Sequence, residues 1–375
     1  MNKSKKGRLI VASSWECADL LYLTGFQAGD PFIYYAVDGD GHIVVTALEH
    51  ARALEESRHG IEVIDRSSLI PAKNAKKDVK AIVGLLTRRH GVDEWEVPSY
   101  FPLGLAETLR ADGVKITCAP KSFAAKRQVK RPSEIKEIRR AQRLAEMAMR
   151  AFESALRSST IGRHGELMLN DAPFTSETAR GLINACIAQN GGYPSATIVA
   201  CGRDAAEPHN AGKGVLKAHQ TIVVDIFPRL RSGYWGDITR TFVKGAAPVI
   251  VKKAHEAVRL AREKAKSLVR AGAIPEKLFQ KAKDVLDQKG FTTGTRHGVH
   301  FGFFHGLGHG VGLEVHEAPR VGPGVTAPLK SGEVVTIEPG VYYPAWGGVR
   351  LEDLVVVRPG TAECLTDYPD MLEVE

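Results

Sequence analysis

A chain of 375 residues, 43% hydrophobic and 25% charged, has room for about two domains, which excludes a scaffold needing disulfides or metal merely to fold. The net charge is +8, but its Lys and Arg residues are spread along the chain, so they describe a generic basic surface and no nucleic-acid partner is expected. Cys17, Cys118, Cys186, Cys201 and Cys364 are scattered without a C-x-x-C pair; this excludes a zinc ribbon or disulfide framework and fits thiols in a reducing compartment.

The opening MNKSKKGR is basic like a signal n-region, yet the apolar run after it is short and broken at Trp15-Glu16-Cys17-Ala18-Asp19. With no secretory h-region and no apolar run of about 18 residues, a cytoplasmic protein without membrane association is expected. Arg8–Ala12, Phe32–Val37 and His42–Thr46 are expected as strands, as are Ile61–Ile64, Glu94–Val97 and Val114–Thr117. Leu48–His59 and Lys76–His90 are expected as helices. Together they make an α/β domain over residues 1–131, with no catalytic cluster. A basic stretch ends at Pro132, where Ser133 is placed to N-cap a long helix with Glu134 and Glu137 at its positive end. Ile135, Ile138, Ala141, Ala145, Met149, Phe152 and Leu156 give that helix its buried stripe. A second domain then runs over 132–375. Thr221–Phe227 and Asp237–Val243 form one expected strand pair, each carrying an Asp. Glu333–Tyr343 and Val349–Val357 form another, each carrying a Glu. The helical segments Val251–Arg270 and Glu276–Lys289 lie between them.

These acids interrupt strands that should be largely buried. In TIVVDIF, Asp225 shares a face with Val223 and Phe227; in VVTIEPG, Glu338 shares one with Thr336 and Val334. An unpaired buried carboxylate costs several kcal/mol, so an Arg or Lys partner, protonation or a metal must compensate. Arg240 and Arg350 are the few cations on the same strands. Nearby, His297, His300, His305, His309 and His316 crowd a stretch in which Gly306, Gly308, Gly310 and Gly312 alternate, a pattern for a tight strand or loop and not a helix. Asp225, Asp237, Glu338 and Glu352 carry four negative charges, matching two divalent ions, and His309 supplies an imidazole. Oxygen-rich, cysteine-free ligation suits Mn²⁺, with Co²⁺ or Zn²⁺ also admissible. Two ions about 3.5–4 Å apart would generate hydroxide near neutral pH and polarise a carbonyl.

At VVDIF, GDITRTFV, HGLGHGVGLEVHEAP, TIEPGVYY and GGVRLEDLVVV the chain resembles the pita-bread-fold metallopeptidases of the prolidase and Xaa-Pro aminopeptidase group; YLTGF resembles their N-terminal domain more weakly. The resemblance implies an α+β protein, in which an N-terminal α/β creatinase/prolidase-like domain precedes a C-terminal pita-bread (creatinase/aminopeptidase) catalytic domain. It implies that Asp225 binds one metal, that Asp237 and Glu352 bridge both, and that His309 and Glu338 complete the ligand set of the second metal. It further implies that Glu338 shuttles the proton, that His316 steadies the tetrahedral intermediate and that His209, in AEPHN, contacts substrate from the opposite side. Arg350, in the GGVRLED string typical of the Xaa-Pro enzymes, would orient a ligand carboxylate or hold substrate. The resemblance implies hydrolysis of short proline-containing peptides by a homodimer. Departures from the pattern are an Asp225–Asp237 separation of twelve, where eleven is usual and a bulge could absorb the difference, and Phe227-Pro228 and Asn210 at positions that usually hold other residues. Phe227-Pro228 leaves one rival reading, a dinuclear hydrolase of a small non-peptide amide, and the net charge of +8 leaves another, a non-catalytic binding module on the same fold.

Overall fold

The protein is described by a computed structural model covering residues 4–70 and 79–375. Residues 76–78 of the expected helix Lys76–His90 lie outside them. The chain divides into two compact units, Met1–Arg127 and Gln128–Glu375.

The first unit is built on a six-stranded mixed sheet. Its strands are β1 (Lys6–Ala12), β2 (Phe32–Val37), β3 (Asp40–Val45), β4 (Ile61–Asp65), β5 (Glu94–Val97) and β6 (Ile116–Cys118), in the order β4-β3-β2-β1-β5-β6. Helices cover both faces. Leu9 and Val11 face Tyr35, Trp95 and the Val79–His90 helix, whereas Ile10 faces Leu20 and Phe26. Two buried faces explain why these strands read as apolar runs and not as strict alternation. The helices Ala18–Thr24 and Leu103–Ala111 were not anticipated. The first is only two turns long, too short for a 3.6-residue period to emerge; its limits are set by the Cys17 side chain at the N-cap and by Gly25 at φ 72°.

The second unit opens with a 27-residue helix, Pro132–Ser158, whose expected stripe is buried. Its N-cap is Arg131, not Ser133. Pro132 occupies the first turn, where no N–H is needed, and the Glu134 carboxylate accepts the Arg131 N–H at 2.7 Å. This helix and Ser176–Gln189 pack on a sheet containing β7 (Ile198–Cys201), β8 (Ile222–Ile226) and β9 (Ile238–Lys244). A second helix pair, Val249–Lys266 and Pro275–Gln288, packs on a sheet containing β10 (Gly308–Gly310), β11 (Glu317–Val321), β12 (Val334–Ile337) and, later in the chain, Asp353–Val356. Each half is therefore one sheet backed by two helices, and the hydroxyls of Thr239 and Thr241 stitch the halves together.

The second strand pair is not the long hairpin expected. β12 pairs with Asp353–Val356, while Gly340–Tyr343 pairs separately with Gly347–Arg350. The strands break at Glu338-Pro339 and at Leu351-Glu352. Proline cannot donate to a ladder, and at the breaks the Glu338 N–H turns to Leu307 O and the Glu352 N–H to Thr239 O. In the other pair, β8 and β9 run in unbroken register from Ile222↔Phe242 to Ile226↔Ile238. The extra residue between Asp225 and Asp237 is thus taken up in the turn beyond Ile226, not by a bulge in the ladder.

Candidate metal centre

The two halves meet around one cavity of about 640 Å³, whose wall includes all eight residues singled out in the sequence: His209, Asp225, Asp237, His309, His316, Glu338, Arg350 and Glu352. Asp225 is the penultimate residue of β8. Asp237 stands just before β9, its N–H fixed by the buried Gln142 side chain at 2.8 Å. Glu338 and Glu352 occupy the two strand breaks, where the chain leaves one sheet and its side chains turn inward. The donor atoms of Asp237, His309 and Glu352 lie within 4.8 Å of one another, and His309 Nε2 is 3.3 Å from Glu338 Oε1. His309 sits on glycine-flanked β10. A Cβ at Gly308 would run into the Thr336 carbonyl, so this stretch approaches its neighbour as only glycine allows. His309 Nδ1 lies 3.2 Å from the Gly310 carbonyl, which can only accept; the ring therefore carries its proton there and turns a free Nε2 toward the carboxylates.

The electrostatics are those of a site short of positive charge. Burial first, then the neighbouring carboxylates, push Asp237 and Glu352 well above the usual carboxylate range. Burial also raises Asp225, with Arg350 pulling the other way. Glu338 is held down to about 2 in spite of burial, by the hydrogen bond and charge of His309 and by His305 and Arg350. His309 rises to about 9 because Glu338 and Glu352 outweigh its desolvation. Asp225 Oδ2 accepts from Arg350 at 2.7 Å, but its buried Oδ1 has no hydrogen-bond partner. An orphaned carboxylate oxygen, two carboxyls driven toward protonation and an imidazole nitrogen facing them make a donor set that fits divalent cations.

Arg350 does not reach Asp353. It donates to Asp225, to Tyr342 Oη at 2.9 Å, to Pro208 O and to Thr239 Oγ1, which itself donates to Glu352 at 2.9 Å. The interrupted strand still leaves Arg350 and Glu352 on the same cavity. Phe227 and the apolar Ile198 and Val315 line it as well. Of the histidine cluster, His305, His309 and His316 reach this cavity, and the rings of His309 and His316 meet edge to face at 4.3 Å. His297 and His300 lie on the separate hairpin Gly294–Arg296/Val299–Phe301. Sequence reasoning missed three residues. Tyr342 is fully buried and joins His305 Nε2 at 3.0 Å to Arg350. Arg320 lines the cavity from β11. Lys130 pairs at 2.7 Å with Glu317, next to His316, with both side chains 2% exposed. A Tyr among apolar strand residues looks like core, and a pair 187 residues apart leaves no local trace.

A metallopeptidase family M24 model matches residues 136–359, and a creatinase/prolidase N-terminal domain model matches residues 3–147. The chain is 29% identical over 347 residues to the Xaa-Pro dipeptidase of Pyrococcus horikoshii, covering 90% of this chain and 91% of that one. Among solved structures, the X-Pro aminopeptidase of Thermotoga maritima superposes with a TM-score of 0.82 at 25% identity, over 99% of this chain and 98% of the other. The prolidase of Pyrococcus furiosus does so with 0.80 at 25%, over 97% and 96%. With the M24 model matched over more than half of its length, the chain belongs to metallopeptidase family M24 and is a metal-dependent enzyme with a creatinase-type N-terminal domain.

Proposed function

We propose that the protein hydrolyses the Xaa-Pro bond at the N-terminus of dipeptides or short peptides. The observation that carries this reading is the convergence of Asp225, Asp237, His309, Glu338 and Glu352 on one cavity that also presents His209, His316 and Arg350. The relatives named for Xaa-Pro cleavage align over nearly the whole chain. In this reading Asp225 would hold one metal ion, Asp237 and Glu352 would be shared by two, and His309 and Glu338 would complete the ligand set of the second. The ions, when bound, supply Lewis acidity that activates water and polarises the scissile carbonyl.

The chain's own residues do the rest. Glu338, ionised at neutral pH, accepts the proton of the attacking water and returns it to the proline nitrogen as the bond breaks. His316 and His209 hold the carbonyl oxygen and the peptide between them. Ile198, Phe227 and Val315 offer an apolar wall to the pyrrolidine ring, and Arg320 offers a cation to a carboxylate. Arg350 fixes Asp225 for its metal. Manganese is the metal proposed, because four carboxylates and one imidazole favour a borderline-hard ion. A cytoplasmic setting fits five unpaired cysteines, and a homodimer is the assembly to test by light scattering.

The deciding assay supplies the purified protein with Mn²⁺, Co²⁺ or Zn²⁺ and offers Xaa-Pro dipeptides, longer Xaa-Pro peptides and Met-peptides. Metal-loaded protein that cleaves no Xaa-Pro substrate overturns the reading. Phe227 on the cavity wall favours one rival, a small non-peptide amide as substrate; an amide turned over faster than every proline peptide would establish it.

A further inference from the structure

Beside the metal cavity lies a second groove of about 830 Å³. The two share Pro208, and a shallow depression over Pro208, His209, Phe304 and His305 joins them. One wall of the groove is the hairpin Gly294–Arg296/Val299–Phe301, closed by the two-residue turn His297-Gly298 with φ of 51° and 79°. Both residues at positive φ match the turn that follows the natural twist of paired strands, so the wall is a regular hairpin. The groove's chemistry is unlike that of the metal cavity. Arg203, Arg296 and His300 bring basic groups, while Val299, 53% exposed, and Phe304, 37% exposed, offer apolar surface. Its acidic residue, Glu207, is engaged by Asn210 at 3.0 Å.

We propose that this groove binds the third and fourth residues of a peptide substrate and selects an acidic side chain or a nearby C-terminal carboxylate there. The inference rests on the proposed Xaa-Pro activity. When the first bond is cut, only one residue lies on the amino side, so whatever chain leaves the metal cavity is on the carboxyl side. Each further residue adds about 3.5 Å of reach. A dipeptide ends within the first cavity; a tetrapeptide extends past Pro208 into the groove, where the uncommitted guanidinium groups of Arg203 and Arg296 meet its negative charge. The enzyme so described prefers short acidic peptides to dipeptides.

The test compares Ala-Pro, Ala-Pro-Gly-Asp and Ala-Pro-Gly-Lys amide on the wild-type holoenzyme and on the surface double variant Arg203→Glu/Arg296→Glu. Two exposed ion pairs predict a kcat/KM about fivefold higher for the Asp peptide than for the Lys amide. The gap closes in 1 M salt and in the double variant, while Ala-Pro hydrolysis is unchanged. Equal rates for the Asp and Lys peptides on the wild type, or a parallel loss of Ala-Pro hydrolysis in the variant, overturn the proposal. If the metal-loaded wild type cleaves none of the three peptides, the proposed activity fails separately. Calorimetric titration of the metal-loaded protein with Ala-Pro-Gly-Asp then decides the groove: equal affinity in wild type and variant refutes it, and weaker binding in the variant supports it.

Discussion

Glu352 and Asp353 are consecutive, almost equally buried at 2% and 3% exposure, and oppositely supplied with charge. Asp353 faces Arg240 at 3.0 Å, Arg262 at 3.3 Å and Lys266 at 2.7 Å, and these cations hold it below the usual carboxylate range against its burial. Glu352 faces Asp225, Asp237 and Glu338, and is pushed well above that range. Successive residues point to opposite sides of an extended chain, so one peptide unit separates a carboxylate that the protein neutralises itself from one left for cations from outside. The contrast teaches how a metal centre differs from a buried salt bridge: both bury acids, and only the source of the compensating charge distinguishes them.

The largest way to break this comparison is to neutralise each member in turn. Glu352→Gln should lower kcat/KM by about a thousandfold or more, the several kcal/mol of Lewis-acid stabilisation expressed as a rate. It should leave the metal-free protein as stable as before or more so, because an uncompensated buried acid has been removed. Saturating metal at about a hundred times its Kd, which should stabilise the wild type by about 2.7 kcal/mol, should stabilise the variant much less. Asp353→Asn should act the other way round. Removing the partner of two buried arginines and of the half-buried Lys266 should cost about 3–5 kcal/mol of stability. Urea unfolding of the two metal-free variants makes the comparison, and equal destabilisation by both would dissolve the distinction.

A smaller effect tests whether the Asp353 side is amply supplied with cations. His255, 6% exposed, sits near Asp370, Arg262 and Arg240; burial and the two arginines lower its pKa to about 4, outweighing the acids nearby. A histidine buried neutral contributes stability that is complete above its unfolded pKa of about 6.5 and is lost as pH falls toward 4, since the unfolded chain takes up the proton first. Between pH 7 and 5 this should remove about 2 kcal/mol, and His255→Leu should flatten that slope. A wild type and variant with the same dependence would mean that His255 finds a compensating acid and that the cluster is not in cation excess.

Much of this site was legible because its acids stand where apolar strand residues should be, and because His309 lies in a glycine pattern no helix would tolerate. The breaks at Glu338 and Glu352 were not, since a strand that changes partners looks locally like one that continues; the change appears only when Leu307 and Thr239 supply the new acceptors. Capping preference pointed to Ser133, but Pro132 settled the helix start two residues earlier, with Arg131 as the N-cap, by fixing φ where a donor is dispensable. Arg240 and Arg350 were both visible as candidate partners for the acids. What separates them is which face of the chain each guanidinium leaves from and what lies across the core, and only the packing of the two sheets decides that: Arg240 goes to Asp353 and Arg350 to Asp225.

Arg350 is also the subtlest test of the contrast, because it is the permanent cation that bonds directly to one of the clustered carboxylates. Its guanidinium makes four contacts at once: Asp225 Oδ2, Tyr342 Oη, Thr239 Oγ1 and Pro208 O. A lysine ammonium offers a single point charge on a flexible stem and cannot reproduce that fork. If Arg350 serves the metals by fixing Asp225, Arg350→Lys should weaken metal affinity by about 10–100-fold, the usual cost of losing a partner that orients a ligand. Turnover should then recover substantially at saturating metal. If it serves the substrate, metal affinity should hold and KM should rise instead. A metal titration followed by activity separates the two, and a loss of kcat that no metal concentration restores would place Arg350 in contact with the reacting peptide.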